Sequence, residues 1–460
     1  MDTLLQIFHV IKDIFEIPAI VLGVVALLGL LLQKKSASDV IKGTTKAILG
    51  LLILGVGSGA IVNALIPFAD MFSFAFKLDG VVPFDEAVVG AVIDAVTDVA
   101  ICTSVIMVCG FIVNLVLARI TPFKYIFLTG HMIWISAGCI SWALFDSGLS
   151  IPYIIVFGSI IQGMISVILP AIAQPIMRKL TGGDKIAYSH LTTLGVVGSA
   201  YVGKLVGKPE KSAEDLNLPE GLNFFRDVAV SVSIVMFIIY LVTALACGPA
   251  YEGNPYGGQN YIIFSFLQAL GFAAGVLVLL QGVRMFISEI IPAFRGIAVK
   301  LIPGVIPALD CPATFQYGPT SLMIGFIFSV IGMLIGMLIC FPLGLIIPLP
   351  SVIGGFFTGG TSGIFGNAIG GRRGAMVAGF VYGLFLTIPV ALFYPLFDLA
   401  KHGISGLAML CPDALAIMAL IKLAFATQPI VVFVIAIGLF VFASFMFAKK
   451  KKSTDVESSK

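Results

Sequence analysis

The stretch Arg295 to Ala313, RGIAVKLIPGVIPALDCPA, sets one carboxylate, Asp310, in an apolar run broken by Pro303, Gly304, Pro307 and Pro312. The run is too irregular for a plain spanning helix and too apolar for a solvated loop. A carboxylate at the centre of a bilayer costs about 2.5 to 3.5 kcal/mol on insertion scales, so Asp310 is expected to face a cavity or a partner. Non-helical backbone persists at membrane depth only where protein or a water-filled cavity satisfies its N–H and C=O groups. The stretch therefore reads as the wall of a polar pocket in a membrane protein, with Asp310 accepting hydrogen bonds from a hydroxylated solute. The alternative makes Asp310 a cap on nearby backbone amides.

The rest of the chain agrees with a membrane setting. Of 460 residues, 59% are apolar and only 11% charged, against roughly 25% charged in soluble domains. A net charge of +3, with its bases scattered between apolar runs, excludes a nucleic-acid surface. Apolar runs of spanning length begin near Pro18, Ala47, Val99, Tyr125, Ile151, Asp227, Tyr261, Ser321, Pro342, Ala375 and Pro429. The expected fold is an all-α integral membrane protein with about eleven spans. Residues 1–17 read as an amphipathic helix, because Asp13 and Glu16 interrupt the apolar pattern of a signal peptide.

Basic residues set the expected orientation. With Lys449 to Lys452 in the cytoplasm, the loops on that side collect Lys34, Lys35, Lys42, Lys46, Arg119, Lys124, Arg178, Lys179, Lys185, Lys204, Lys208, Lys211, Arg295, Lys300, Arg372 and Arg373. Asp146 to Ser150 and Cys247 to Asn260, on the opposite side, contain no Lys or Arg, and the loop after the second span has only Lys77. The positive-inside rule then places the N-terminus outside and the C-terminus in the cytoplasm. The division expected is a permease body over 1–448, with halves 18–206 and 226–448 joined by a cytoplasmic linker, 207–225, and followed by a basic tail, 449–460. Lys42-Gly43 leading to Gly57-Ser58-Gly59 echoes Arg295-Gly296 leading to Asp310-Cys311. The echo points to an inverted repeat, whose sites lie in broken helices where the halves meet.

Phe84 to Val99, Tyr188 to Val206 and Leu301 to Tyr317 are the broken apolar segments, and each is a candidate pocket wall; the alternative is a loop in the membrane interface. His131 lies inside a span and His190 at the start of a broken segment, where an imidazole is a site candidate. No HxH or HExxH spacing supports a metal centre, and no nucleophile–base spacing supports a catalytic one. The seven cysteines form no CxxC pair and read as structural thiols. Gly354 to Asn367, followed by Gly370-Gly371-Arg372-Arg373, is no nucleotide fingerprint. Its glycines suit either close solute approach to backbone amides or tight helix packing.

Four stretches resemble the L-ascorbate-type IIC permease of the bacterial phosphoenolpyruvate-dependent phosphotransferase system: Lys42 to Ala60 (KGTTKAILGLLILGVGSGA), Leu128-Thr129-Gly130-His131, Gln281 to Glu289 (QGVRMFISE) and Arg295 to Ala313. Lys208 to Leu222 (KPEKSAEDLNLPEGL) fits a cytoplasmic loop of that family. The resemblance implies a homodimer in the inner membrane, a core domain moving as an elevator against a scaffold of long tilted helices, and inward group translocation of L-ascorbate or a related sugar or polyol. Phosphate would come from a separate cytoplasmic IIB protein, supplied through IIA; no cofactor of the chain's own is expected. Carried over by position, the substrate contacts fall on Ser58, His131, His190, Asp310, Thr361 and Gly363. Ile135 and Leu191 stand where the family has glutamines, and Asp85-Glu86 where it has a Thr-Tyr pair. Asp85 or Glu86 in the pocket would favour a neutral sugar or polyol over the ascorbate anion. The rival function is an ion-coupled secondary transporter with Asp310 and the histidines as a proton relay.

Overall fold

The computed structural model describes residues 18–76, 80–216, 228–248, 251, 256–300, 302–397, 399–402, 407–425 and 428–458. The expected amphipathic helix over 1–17, Lys77 and residues 217–227 of the linker lie outside the described residues, as do the side chains of the basic tail. Among the described residues, six helical segments are long and apolar enough to cross a bilayer: Thr97–Ile120, Ile151–Thr181, Tyr261–Val278, Pro319–Leu343, Gly355–Leu396 and Pro429–Met446. Ile66–Phe76, Thr193–Val206 and Val232–Cys247 are shorter apolar helices. The chain is a mostly helical, multi-pass membrane protein.

Two helices of 40 residues, Ala37–Phe76 and Tyr261–Lys300, pack on each other and on Pro18–Leu32 and Val228–Cys247. At 1.5 Å per residue each is about 60 Å long, twice the ~30 Å hydrocarbon thickness, so they tilt or run beyond it. A second body pairs Thr97–Ile120 with Ile151–Thr181, and Pro319–Cys340 with Gly360–Phe385. Glycines allow the latter contact. A Cβ on Gly363 would press on the backbone of Ser321 and Gly325, and one on Gly332 on the carbonyl of Phe380. Absent side chains let helix backbones approach where lipid supplies no hydrophobic drive for association.

Among the described residues, six short strands lie between the helices: β1 (Gly80–Pro83), β2 (Tyr125–Phe127), β3 (Ala187–Tyr188), β4 (Ile306–Leu309), β5 (Ile347–Pro348) and β6 (Leu407–Ala408). They form two parallel ribbons, ordered β5-β1-β6 and β2-β4-β3. Pairing across the chain satisfies the backbone that a broken helix leaves bare. The runs expected to begin helices at Tyr125 and Pro342 start instead as a strand and as a turn leading to β5. Of the broken segments, Phe84 to Val99 holds the helix Asp85–Ala95, Tyr188 to Val206 runs from β3 into the helix Thr193–Val206, and Leu301 to Tyr317 contains β4.

Element order repeats. In each half a 40-residue helix is followed by a strand, a long helix, a second strand, further helix, a third strand and a 14-residue helix, Thr193–Val206 in the first and Pro412–Phe425 in the second. Each ribbon takes its central strand from one half and both flanking strands from the other. The halves are thus interlocked. The repeat pairs Asp85, just after β1, with Asp310, just after β4. It does not pair Ser58 with Asp310, as the sequence echo has it, since Ser58 lies within the helix Ala37–Phe76 that precedes β1.

Candidate functional site

Parallel strands end at a common edge, so residues that leave them converge there, which is why ligands gather at the carboxyl ends of parallel sheets. Tyr125 pairs with Ile306 and Ala187 with Ala308, and the ladder continues with Leu128 N–H donating to Ala308 O at 3.0 Å and Ser189 N–H to Leu309 O at 2.8 Å. Thr129 Oγ1 fastens the two flanking ends, 2.8 Å from Ser189 O and 2.7 Å from Ser189 Oγ. His131, His190 and Asp310 all emerge at this edge. His131 Nε2 lies 3.6 Å from Asp310 Oδ2, and His190 Nε2 3.9 Å from Asp310 Oδ1. Asp310 and His190 are buried, whereas the His131 side chain keeps 24% of its exposure and so opens the cluster to a solute.

The orientation of His190 follows from its neighbours. Nδ1 accepts the Thr192 N–H at 3.2 Å, and an amide only donates. Nδ1 therefore carries no proton, the Thr192 hydroxyl 2.8 Å away donates to it as well, and the ring proton sits on Nε2, facing Asp310. Tyr188 lies nearly parallel to the imidazole, and its hydroxyl is 3.3 Å from Cys311 Sγ. Thr192→Val removes the hydroxyl that holds the ring, at about 0.5 to 1.5 kcal/mol, so solute affinity should fall roughly 2- to 10-fold. Thr192→Ser should restore it in the same titration.

One carboxylate flanked by two imidazoles accepts paired hydroxyls and donates from Nε2, as polyhydroxylated solutes require. The candidate ligand atoms of the three side chains lie within 4.8 Å of one another, a spacing that would also hold a cation. The protonation derived above favours hydrogen bonding, because Nε2 would have to lose its proton to ligate and Asp310 Oδ1 already accepts the Cys311 N–H at 2.6 Å.

The other expected contacts are placed differently. Thr361 is buried and donates to Phe357 O at 2.6 Å, one turn back in its own helix. Gly363 serves the helix contact described above. Asp85 occupies the corresponding corner of the other ribbon, where Oδ1 accepts the N–H groups of Leu410 at 2.7 Å and Cys411 at 3.1 Å. Leu410 follows β6 at the interval at which His190 follows β3. The first corner is thus closed by the chain's own backbone, and the second is lined by histidines. Glu86 lies in the first turn of the helix Asp85–Ala95, and its side chain, like that of Ser58, is outside the described residues. Ile135 and Leu191 are both buried among apolar side chains.

Sequence reading missed Thr192, Tyr188 and Cys311 as supports, and Asp413, whose carboxylate accepts the Gly195 N–H at 3.0 Å and joins the starts of the two 14-residue helices. Short apolar runs ending on a polar residue, as in Ala187-Tyr188-Ser189-His190 and Ile306-Pro307-Ala308-Leu309-Asp310, carry the signal for these corners.

Comparison with known proteins agrees with this architecture. The family profile EIIC-GAT, described as a PTS system sugar-specific permease component, matches residues 13–413. The "Ascorbate-specific PTS system EIIC component" of Mycoplasma pneumoniae is 27% identical over 427 residues, which cover 82% of this chain and 64% of that protein. The chain therefore spans somewhat less than two thirds of this relative's length. With the profile matched across most of its residues, the chain belongs to the EIIC-GAT family of sugar-specific permease components of the phosphotransferase system.

Proposed function

We propose that the chain binds L-ascorbate or a related sugar or polyol at the His131–His190–Asp310 cluster and carries it inward for phosphorylation by a separate IIB protein, itself charged through IIA. The observation that carries this reading is a buried carboxylate between two imidazoles at the common edge of β2, β3 and β4. Family membership and the ascorbate-specific name of the Mycoplasma relative support the solute class. Asp85 is held by two backbone amides, so on this reading an ascorbate anion meets one carboxylate, Asp310, beside the partly open His131. Ser58, Glu86 and Thr361 belong to the wider lining.

The motion is read as an elevator. The core comprises the two ribbons and the helices that carry them, and the scaffold comprises Ala37–Phe76, Tyr261–Lys300 and their neighbours in a homodimer. In this reading residues 18–206 and 226–448 are inverted halves contributing about eleven spans, with the N-terminus outside and the C-terminus cytoplasmic. Uptake into vesicles separates the proposal from its rival. Solute should accumulate as its phosphate, and only with IIB and phosphoenolpyruvate supplied. Accumulation of unmodified solute driven by a proton gradient alone would identify an ion-coupled transporter.

A further inference from the structure

Residues 207–216 follow the helix Thr193–Val206 and are bonded to the core at every turn. Lys208 N–H donates to Gly370 O at 2.8 Å, Arg372 N–H to Lys211 O at 2.8 Å, and Ala213 N–H to Asn367 Oδ1 at 2.8 Å. Asn367 Nδ2 donates to Ser212 Oγ at 3.2 Å. Glu214 caps the helix Pro319–Cys340, accepting the Thr320 N–H at 3.0 Å and the Ser321 N–H at 2.8 Å. Gly371 breaks the helix Gly360–Phe385 at φ 64°, and a Cβ there would meet the carbonyls of Lys208 and Lys211. Only glycine lets the strap lie so close.

This stitching gathers cations. Lys204, Lys208, Lys211 and Arg373 are exposed and Arg372 half-buried, and among the described residues none has a carboxylate within 4.0 Å. Glu214 is occupied with its cap, which leaves Glu210 and Asp215 as the exposed acids of the strap. Leu205 and Val206, both exposed, add apolar surface beside the bases. Lys208 and Lys211 bond through their backbone, so their amines are free to face outward. The patch is also linked to the solute site. The helix Thr193–Val206 begins three residues after His190 and reaches Lys204 about 17 Å further on, and the helix carrying Thr361 breaks at Gly371, next to Arg372.

We propose that this strap, with the Arg372–Arg373 bend, is the docking surface for the phosphorylated IIB protein. The inference rests on the group-translocation reading above and assigns that partner a place. A fixed set of cations around apolar residues matches a phosphorylated, anionic protein face, since complementary charge steers encounter and preorganisation lowers the cost of binding. A lipid headgroup layer, being fluid, needs no such fixed geometry.

The test uses the full chain in inside-out vesicles, with a phosphorylated IIB protein of an ascorbate-type system as probe. Wild-type affinity should fall with added salt. Lys208→Glu/Lys211→Glu/Arg373→Glu should weaken IIB binding by at least about tenfold and leave L-ascorbate affinity unchanged. Unchanged IIB affinity in this variant, beside a wild type that supports phosphorylation, would overturn the assignment. So would a loss seen only in vesicles containing anionic phosphatidylglycerol, which would make the patch a lipid contact. Should the triple variant lose ascorbate binding too, Lys204→Gln/Arg373→Gln decides by the same criterion. Failure of the wild type to bind or be served by IIB would remove the group-translocation reading, and this surface with it.

Discussion

Asp310→Asn should lower solute affinity roughly 10- to 150-fold while leaving the protein folded. The substitution is isosteric and keeps an Oδ1 acceptor for the Cys311 N–H. It removes the charge and turns the Oδ2 position, 3.6 Å from His131 Nε2, into a donor. Hydrogen bonds to a charged group are worth about 1.5 to 3 kcal/mol, which sets the range. Titration of the purified protein with L-ascorbate, beside a thermal unfolding curve, reads both effects. Equal loss of folded protein and of binding would make Asp310 a structural cap, the alternative its sequence setting allows.

Asp85→Ala should have the opposite signature. Asp85 is buried, and its carboxylate is the acceptor that the Leu410 and Cys411 amides find at the edge of the first ribbon. Alanine orphans two N–H groups away from water at about 1 to 3 kcal/mol each, a large share of the 5 to 15 kcal/mol that holds a typical domain together. Folded yield and unfolding temperature should fall sharply. Asp85→Asn keeps an Oδ1 acceptor and should be far milder, with ascorbate affinity close to wild type. A large loss of affinity in a fully stable Asp85→Asn protein would place Asp85 in the solute site after all.

The contrast between these two aspartates marks how far sequence reading reaches. Membrane class, the broken segments and the three polar residues of the cluster follow from one cost, that of polar groups in hydrocarbon, which singles out Asp310, His131 and His190 wherever they lie. The ribbons were not legible. Strands of two to four residues give no period, and a short apolar run such as Tyr125 to Phe127 reads equally well as the start of a helix. Their pairing joins residues from about 120 to more than 300 positions apart, which no local pattern records. Without the ribbons, Asp85 and Asp310 look like similar buried acids. Only the topology shows that one corner is filled by backbone and the other by histidines. Thr192 was invisible for a related reason, because its role depends on which way the His190 ring faces. The glycines of Gly354 to Asn367 suited two readings, and at Gly363 the contact with Ser321 and Gly325 supports packing.

A cryo-EM map of the full chain with bound L-ascorbate tests the central claim most directly. Solute density should lie at the common edge of β2, β3 and β4, within hydrogen-bonding distance of Asp310 and both histidines, and should vanish in Asp310→Asn at the same concentration. Density elsewhere, with the His131–His190–Asp310 cluster empty and the Asp310→Asn map unchanged, would contradict it.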